Sequence, residues 1–147
     1  MKAATRQVEL VLPLIPDMEI TAANAASDLG REIGMSEDSI DEAAHAIVEA
    51  CINAREHSCC ADKRIYLRFV GDSSDEEKAK LEVWITDHGQ GFDPDQVRQR
   101  RVASEKPKKR GWGLQIMEAH MDEVRISSSA GGTTVYMVKY GERQSND

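Results

Sequence analysis

Glu49 and Asn53 stand four residues apart in EACINAREH, residues 49–57, and on a helix that spacing puts both side chains on one face. An asparagine oxygen is a neutral, hard donor that suits Mg²⁺, an ion that takes few protein ligands and keeps waters and phosphate oxygens. A carboxylate one turn earlier could accept a proton from an attacking hydroxyl or water. In DHGQG, residues 87–91, Asp87 follows a predicted strand and can accept a hydrogen bond from an amino group such as that of adenine. Gly89 and Gly91 let the backbone approach a flat ligand. In RGWGLQIM, residues 110–117, Gly111 and Gly113 sit where a loop becomes a helix, so backbone N–H groups and the positive dipole end could hold phosphate. GGTTVYM places Gly131 and Gly132 before a strand carrying Thr133 and Thr134. Each stretch alone also has a plain reading: a solvated helix face, a glycine turn, a helix start, a hairpin turn.

The elements that must position these residues are legible from periodicity. QVELVLPLI alternates and reads as a strand. Pro16 and Asp17 are placed to start a helix and Gly34 to stop it. A second helix opens at SEDSIDEA, where Ser36 or Ser39 could cap; Ser39 with Glu42 has capping-box spacing. Its apolar stripe runs through Ile40, Ala43, Ala44, Ile47, Cys51 and Ala54, with Glu49 and Asn53 expected on the opposite side. RIYLRFVGD and KLEVWITDHG read as strands joined by the solvated loop GDSSDEEKAK, and Trp84 is expected in the core. VRQRRVASEKPKKR reads as a short helix and a basic loop. GWGLQIMEAHMD then opens a helix whose Leu114, Met117 and Met121 face a core, followed by strands EVRISSS and TVYMVKY. The order β-α-α-β-β-(α)-α-β-β predicts an α+β fold rather than a doubly wound one. One domain is expected over residues 1–141, with 142–147 a frayed tail.

Composition sets the bounds. The 147 residues carry a formal charge of −7, which argues against a general affinity for nucleic acid or anionic membrane. Cys51, Cys59 and Cys60 cannot all pair within the chain, and the apolar run VELVLPLIP is interrupted by Glu9 and Pro13; a reduced, cytoplasmic protein is expected. His57, Cys59 and Cys60 lack a fourth metal ligand of suitable spacing. Between Arg98 and Arg110 seven basic residues stand against Glu105, a charge suited either to a lid over a triphosphate or to a solvated loop. No Walker-type phosphate loop and no H-R-D or D-F-G set is present.

Taken in order, E-x-x-x-N on a helix, D-x-G-x-G after a strand, G-x-G-L opening a helix and G-G-T before a strand resemble the GHKL superfamily of ATP-binding domains. EACINAREH, DHGQGFD, RGWGLQIMEAHMDEV and GGTTVYM look like the anti-sigma factor serine/threonine kinases of bacterial partner-switching systems, along nearly the whole chain. The resemblance implies a Bergerat (histidine-kinase-like ATPase) fold: an α+β two-layer sandwich with a mixed, mostly antiparallel sheet and helices on one face. It implies ATP and Mg²⁺ as cofactors, with Asn53 as the Mg²⁺ ligand and Glu49 as the catalytic base. Asp87 matches the adenine-recognising carboxylate, Gly89 and Gly91 the base pocket, Thr133 its floor. Gly111, Gly113 and Leu114 match the glycine box around the phosphates, and Arg110 a phosphate-contacting position. His57 matches a histidine one turn past the asparagine. By the same resemblance the partners are a STAS-type anti-sigma factor antagonist, a sigma factor and a second copy of the chain. Two other readings stand beside this one: an ATP-loaded module that sequesters a regulator without transferring phosphate, and the catalytic domain of a sensor histidine kinase. Glu49 before Asn53 and the MDEV…GGTT ending fit the serine kinases better than the last.

Overall fold

The computed structural model describes residues 5–57, 62–89 and 113–143. In chain order these form β1 (Thr5–Pro13), α1 (Met18–Glu32), α2 (Glu37–His57), β2 (Arg64–Asp72), β3 (Lys78–Asp87), α3 (Gly113–His120), β4 (Glu123–Ser129) and β5 (Gly132–Glu142). The strands make one sheet in the order β1-β2-β3-β5-β4. Every described pairing is antiparallel, so the sheet is not mixed. Only β2–β3 and β4–β5 are linked directly, as hairpins; β1 reaches β2 through α1 and α2, and β3 pairs with β5 rather than with its successor β4.

Alternation along the strands separates two faces. Leu67, Phe69, Leu81, Val83, Ile85, Val135 and Met137 point one way and form a core with Ala22, Ala26 and Leu29 of α1, Ala43, Ile47 and Cys51 of α2, and Leu114 and Met117 of α3. All three described helices therefore lie against one face. The other face carries Arg68, Trp84 and Tyr136 in register. Trp84 stands there, half-buried, its ring 4.9 Å from that of Tyr136 and 4.9 Å from the Arg68 guanidinium. The expectation that Trp84 is core fails because an even-numbered residue of β3 points away from the helices, and strand alternation gives no sign of which face they cover.

Helix ends follow local chemistry. Past α1 the Gly34 N–H bonds to the Arg31 carbonyl and the Met35 N–H to that of Gly30, a double closure that Gly34 makes possible at φ 81°. At the start of α2, Ser36 rather than Ser39 is the capping residue: its carbonyl accepts from the Ile40 N–H, and its hydroxyl from the Ser39 N–H. The β2–β3 connection is shorter than the acidic stretch, since Lys78–Lys80 belong to β3. Asp72 and Asp75 fold the loop by accepting from the N–H groups of Ser74, Glu77 and Lys78. The strand at the C-terminal end also runs further than expected. Glu142 closes β5, and Arg143 bridges to Met35 and donates to the carbonyls of Ser73 and Asp75. The basic segment, Cys59, Cys60 and Trp112 lie outside the described residues.

Candidate functional site

Where α2 ends relative to the sheet follows from its anchors. Near its start the Ser36 N–H bonds to the Glu142 carbonyl, and the Lys139 Nζ reaches the Glu42 carboxylate. From Glu42 to Asn53 the helix rises about 16 Å. From Lys139 back to Thr133 the strand covers about 20 Å. Asn53 thus arrives at the end of the sheet where β3 finishes and β5 begins.

At that sheet end Asp87 and Thr133 are direct cross-strand partners, both on the helix-covered face and both buried, at 7% and 4% exposure. A carboxylate in such a place needs donors; Asp87 Oδ1 accepts from the Gly89 N–H at 2.9 Å. Thr133 shares a hydroxyl hydrogen bond of 2.8 Å with Ser128. Gly132 is obligatory beside them. Its φ is 141°, and a Cβ there would fall 2.1 Å from the Asp87 carbonyl oxygen.

On the helix side, α3 runs antiparallel to α2. The His120 and His45 rings meet at one end, centroids 4.7 Å apart and tilted by 41°. At the other, Gly113 meets Asn53 so closely that a Cβ would lie 2.8 Å from its Nδ2 and 3.0 Å from its Oδ1. Glu49 lies between those two contacts along α2 and is 8% exposed. The expected placement of Glu49 and Asn53 away from the packed side is therefore corrected: α3 covers that flank of α2, while α1 covers the other. At the start of α3, Gly113 sets backbone N–H groups beside the carboxamide of Asn53. Leu114, the next residue, is buried in the core.

The structure thus joins Asn53 to Gly113, with Glu49 one turn back, and Asp87 to Gly89, Gly132 and Thr133, at one end of the layer between helices and sheet. Gly91, Arg110 and Gly111 lie outside the described residues. His57 ends α2, exposed. One contact near the site had no sequence signal. Glu19, buried at the start of α1, takes a 2.8 Å ion pair from Arg55, two residues past Asn53. Cys51 packs beneath, and burial first, then the Glu19 charge, pushes its thiol up to about 12. Ser128 could have been found from the hairpin register about Ala130–Gly131. A shallow groove of about 340 Å³ flanks Asp87, lined by Thr86, His88, Ser127, Ser129 and Thr134; none of its walls comes from α2 or α3. Among the described residues no helix is long and apolar enough to cross a membrane.

Comparison with known proteins bears on the family and the fold. The profile of the histidine kinase-like ATPase domain matches residues 13–139. A serine-protein kinase RsbW of Bacillus subtilis (strain 168) is 34% identical over 158 residues, spanning 100% of this chain and 94% of its own. The serine-protein kinase RsbW of Bacillus licheniformis is 32% identical over 156 residues, spanning 100% and 93%. Among solved structures, the RsbU and RsbW domains of Rv1364c from Mycobacterium tuberculosis align with a TM-score of 0.70 at 23% identity. That alignment covers 95% of this chain and 34% of the longer one, and shows a shared fold.

Proposed function

Because the chain belongs to the histidine kinase-like ATPase domain family, and within it to the serine-protein kinases RsbW, we propose that it moves the γ-phosphoryl group of ATP to a serine of a partner protein from the site at Glu49, Asn53, Asp87 and Gly113. The observation that carries the assignment is the contact of Gly113 with Asn53 one turn beyond Glu49. It puts a helix N-terminus, a hard oxygen donor and a carboxylate in one place.

The residues present fit a metal-bound nucleotide. Asn53 offers a neutral oxygen, and the missing side chain at Gly113 leaves the backbone close to it. Asn53 would hold Mg²⁺, which when bound neutralises charge on phosphoryl oxygens. The N–H groups at the start of α3, at Gly113 and Leu114, bind phosphate oxygens. Asp87 accepts from the adenine amino group, the Gly89 N–H keeps that carboxylate oriented, and Thr133 forms the floor. Glu49, largely shielded from water, takes the proton of the incoming serine hydroxyl. Gly91, Arg110 and Gly111 complete the base pocket and phosphate box by resemblance, with the basic run as the lid.

The partner is a STAS-type anti-sigma factor antagonist, and the protein serves as an anti-sigma regulatory factor in the cytoplasm, as a homodimer of single-domain chains. Phosphorylation weakens antagonist binding by adding charge at a fitted interface.

The test is transfer of label from ATP, with Mg²⁺, to a serine of a candidate antagonist, located by mass spectrometry, for wild type and Glu49→Gln. The expected outcome is transfer by wild type, a loss of about 100-fold or more in the variant, and ATP affinity unchanged within about two-fold. Normal transfer by Glu49→Gln removes Glu49 as the base. ATP binding with no transfer by wild type to any antagonist favours the non-catalytic switch.

A further inference from the structure

We propose that Lys139 is a positioning residue for the phosphate end of the site, holding α3 so that Gly113 stays against Asn53. The proposal rests on the reading of Asn53 and Gly113 as that end.

Helix α3 has eight residues, too few turns to persist by itself, so its place is set by what it touches. Leu114, Met117 and Met121 hold it to the core, but apolar contact is non-directional and resists sliding along α2 poorly. A directional contact holds its far end. There the Lys139 side chain, 10% exposed, brings Nζ to 2.6 Å from the carbonyl of His120 and 2.5 Å from Glu42 Oε2. One ammonium joins β5, α2 and the last residue of α3, at the end of the helix where a cation is favoured. An ammonium this shielded needs both acceptors, and the helix end needs its donor. The His45 and His120 rings add a tilted contact between α2 and α3 at this end.

The consequence reaches the site because the rod is short and the clearance at its other end is nil. From His120 to Gly113 is about 10 Å of helix, and from His45 to Asn53 about 12 Å. The two helices therefore touch at both ends, and fixing one end in register fixes the other. With Gly113 so close to Asn53 that no methyl fits, a slip of α3 alters the alignment of its N–H groups with the asparagine oxygen. Misplacement of about 1 Å at a reacting group is enough to cost about 100-fold in rate.

Affinities for ATP and for adenosine, measured by calorimetry on wild type, Lys139→Met and Lys139→Arg, separate positioning from general stability. Adenosine uses the Asp87 side of the site and lacks the phosphates that α3 would bind. Lys139→Met is expected to lose about 10-fold in ATP affinity, with adenosine unchanged within about two-fold, and Lys139→Arg to recover most of the ATP loss. An equal loss for both ligands, or no loss for either, overturns the proposal. If Lys139→Met does not fold, Glu42→Ala, whose side chain is 46% exposed, is read in the same way and decides with a smaller ATP-specific loss. Wild type that fails to bind ATP defeats the site reading itself. Wild type that binds ATP, with the variants indistinguishable from it, defeats only the role of Lys139.

Discussion

Replacing Gly113 with alanine perturbs the site at its tightest contact. The added Cβ would start 2.8 Å from Asn53 Nδ2, 3.0 Å from its Oδ1 and 3.2 Å from its Cγ. Ordinary contact begins near 3.4–4 Å, so the carboxamide must retreat by about 0.6–1.2 Å. The backbone itself gains, because alanine is favoured over glycine in a helix by about 1 kcal/mol, while local overpacking costs about 1–3 kcal/mol. Net destabilisation is therefore about 0–2 kcal/mol, equivalent to a melting shift of at most roughly 8 °C in a chain of this size. Function should suffer far more. A displacement near 1 Å at the metal-binding oxygen lowers phosphoryl transfer by about 10- to 100-fold. Thermal unfolding and labelled-phosphate transfer on the same preparations separate the two effects. Wild-type transfer at the same Mg²⁺ dependence, with the melting curve in the expected range, would refute the placement of Asn53 at the metal.

Asp87→Ala should weaken ATP binding by about 1.5–3 kcal/mol, roughly 10- to 150-fold, by leaving the adenine amino group without its charged acceptor; equal affinities by calorimetry would take Asp87 out of the site. Gly132→Ala should destabilise the protein by roughly 3 kcal/mol or more, lowering the melting temperature by roughly 6–12 °C. The cause is a Cβ that would sit 2.1 Å from a backbone oxygen of β3, at a φ that alanine avoids; a melting curve like wild type would contradict the packing. The Glu42 carboxyl is held below its usual range, first by the hydrogen bond from Lys139 and further by the charges of Lys139 and His120, against some opposition from burial. Its stabilisation is therefore fully present above about pH 4.5 and is lost as pH falls through the depressed folded value. Stability of wild type and Glu42→Gln, followed by urea unfolding from pH 5 downward, should differ at pH 5 and converge toward pH 3. A difference that grows on acidification would overturn the pairing.

Much of this protein is legible in its sequence. Two-residue and 3.6-residue periods located the strands and helices, because those signals are local. Gly34 and Gly132 marked real backbone requirements, and the motifs named Asn53, Asp87, Gly89, Gly113 and Thr133, which the fold brings to one end of the sheet. What sequence could not decide was which flank of each element is covered. Glu49 and Asn53 look like the solvated side of an amphipathic helix until α3, about 60 residues later, packs over them. Trp84 looks like core until the helices take the opposite face of the sheet. Arg55 and Glu19 are 36 residues apart, and Lys139 and Glu42 are 97 apart, so neither pair leaves a pattern in any window of sequence. Local propensity and turn chemistry act over a few bonds and can be read in order along the chain. Burial, ion pairing and the approach of a glycine to an asparagine are settled by long-range packing, and only the folded structure fixes them.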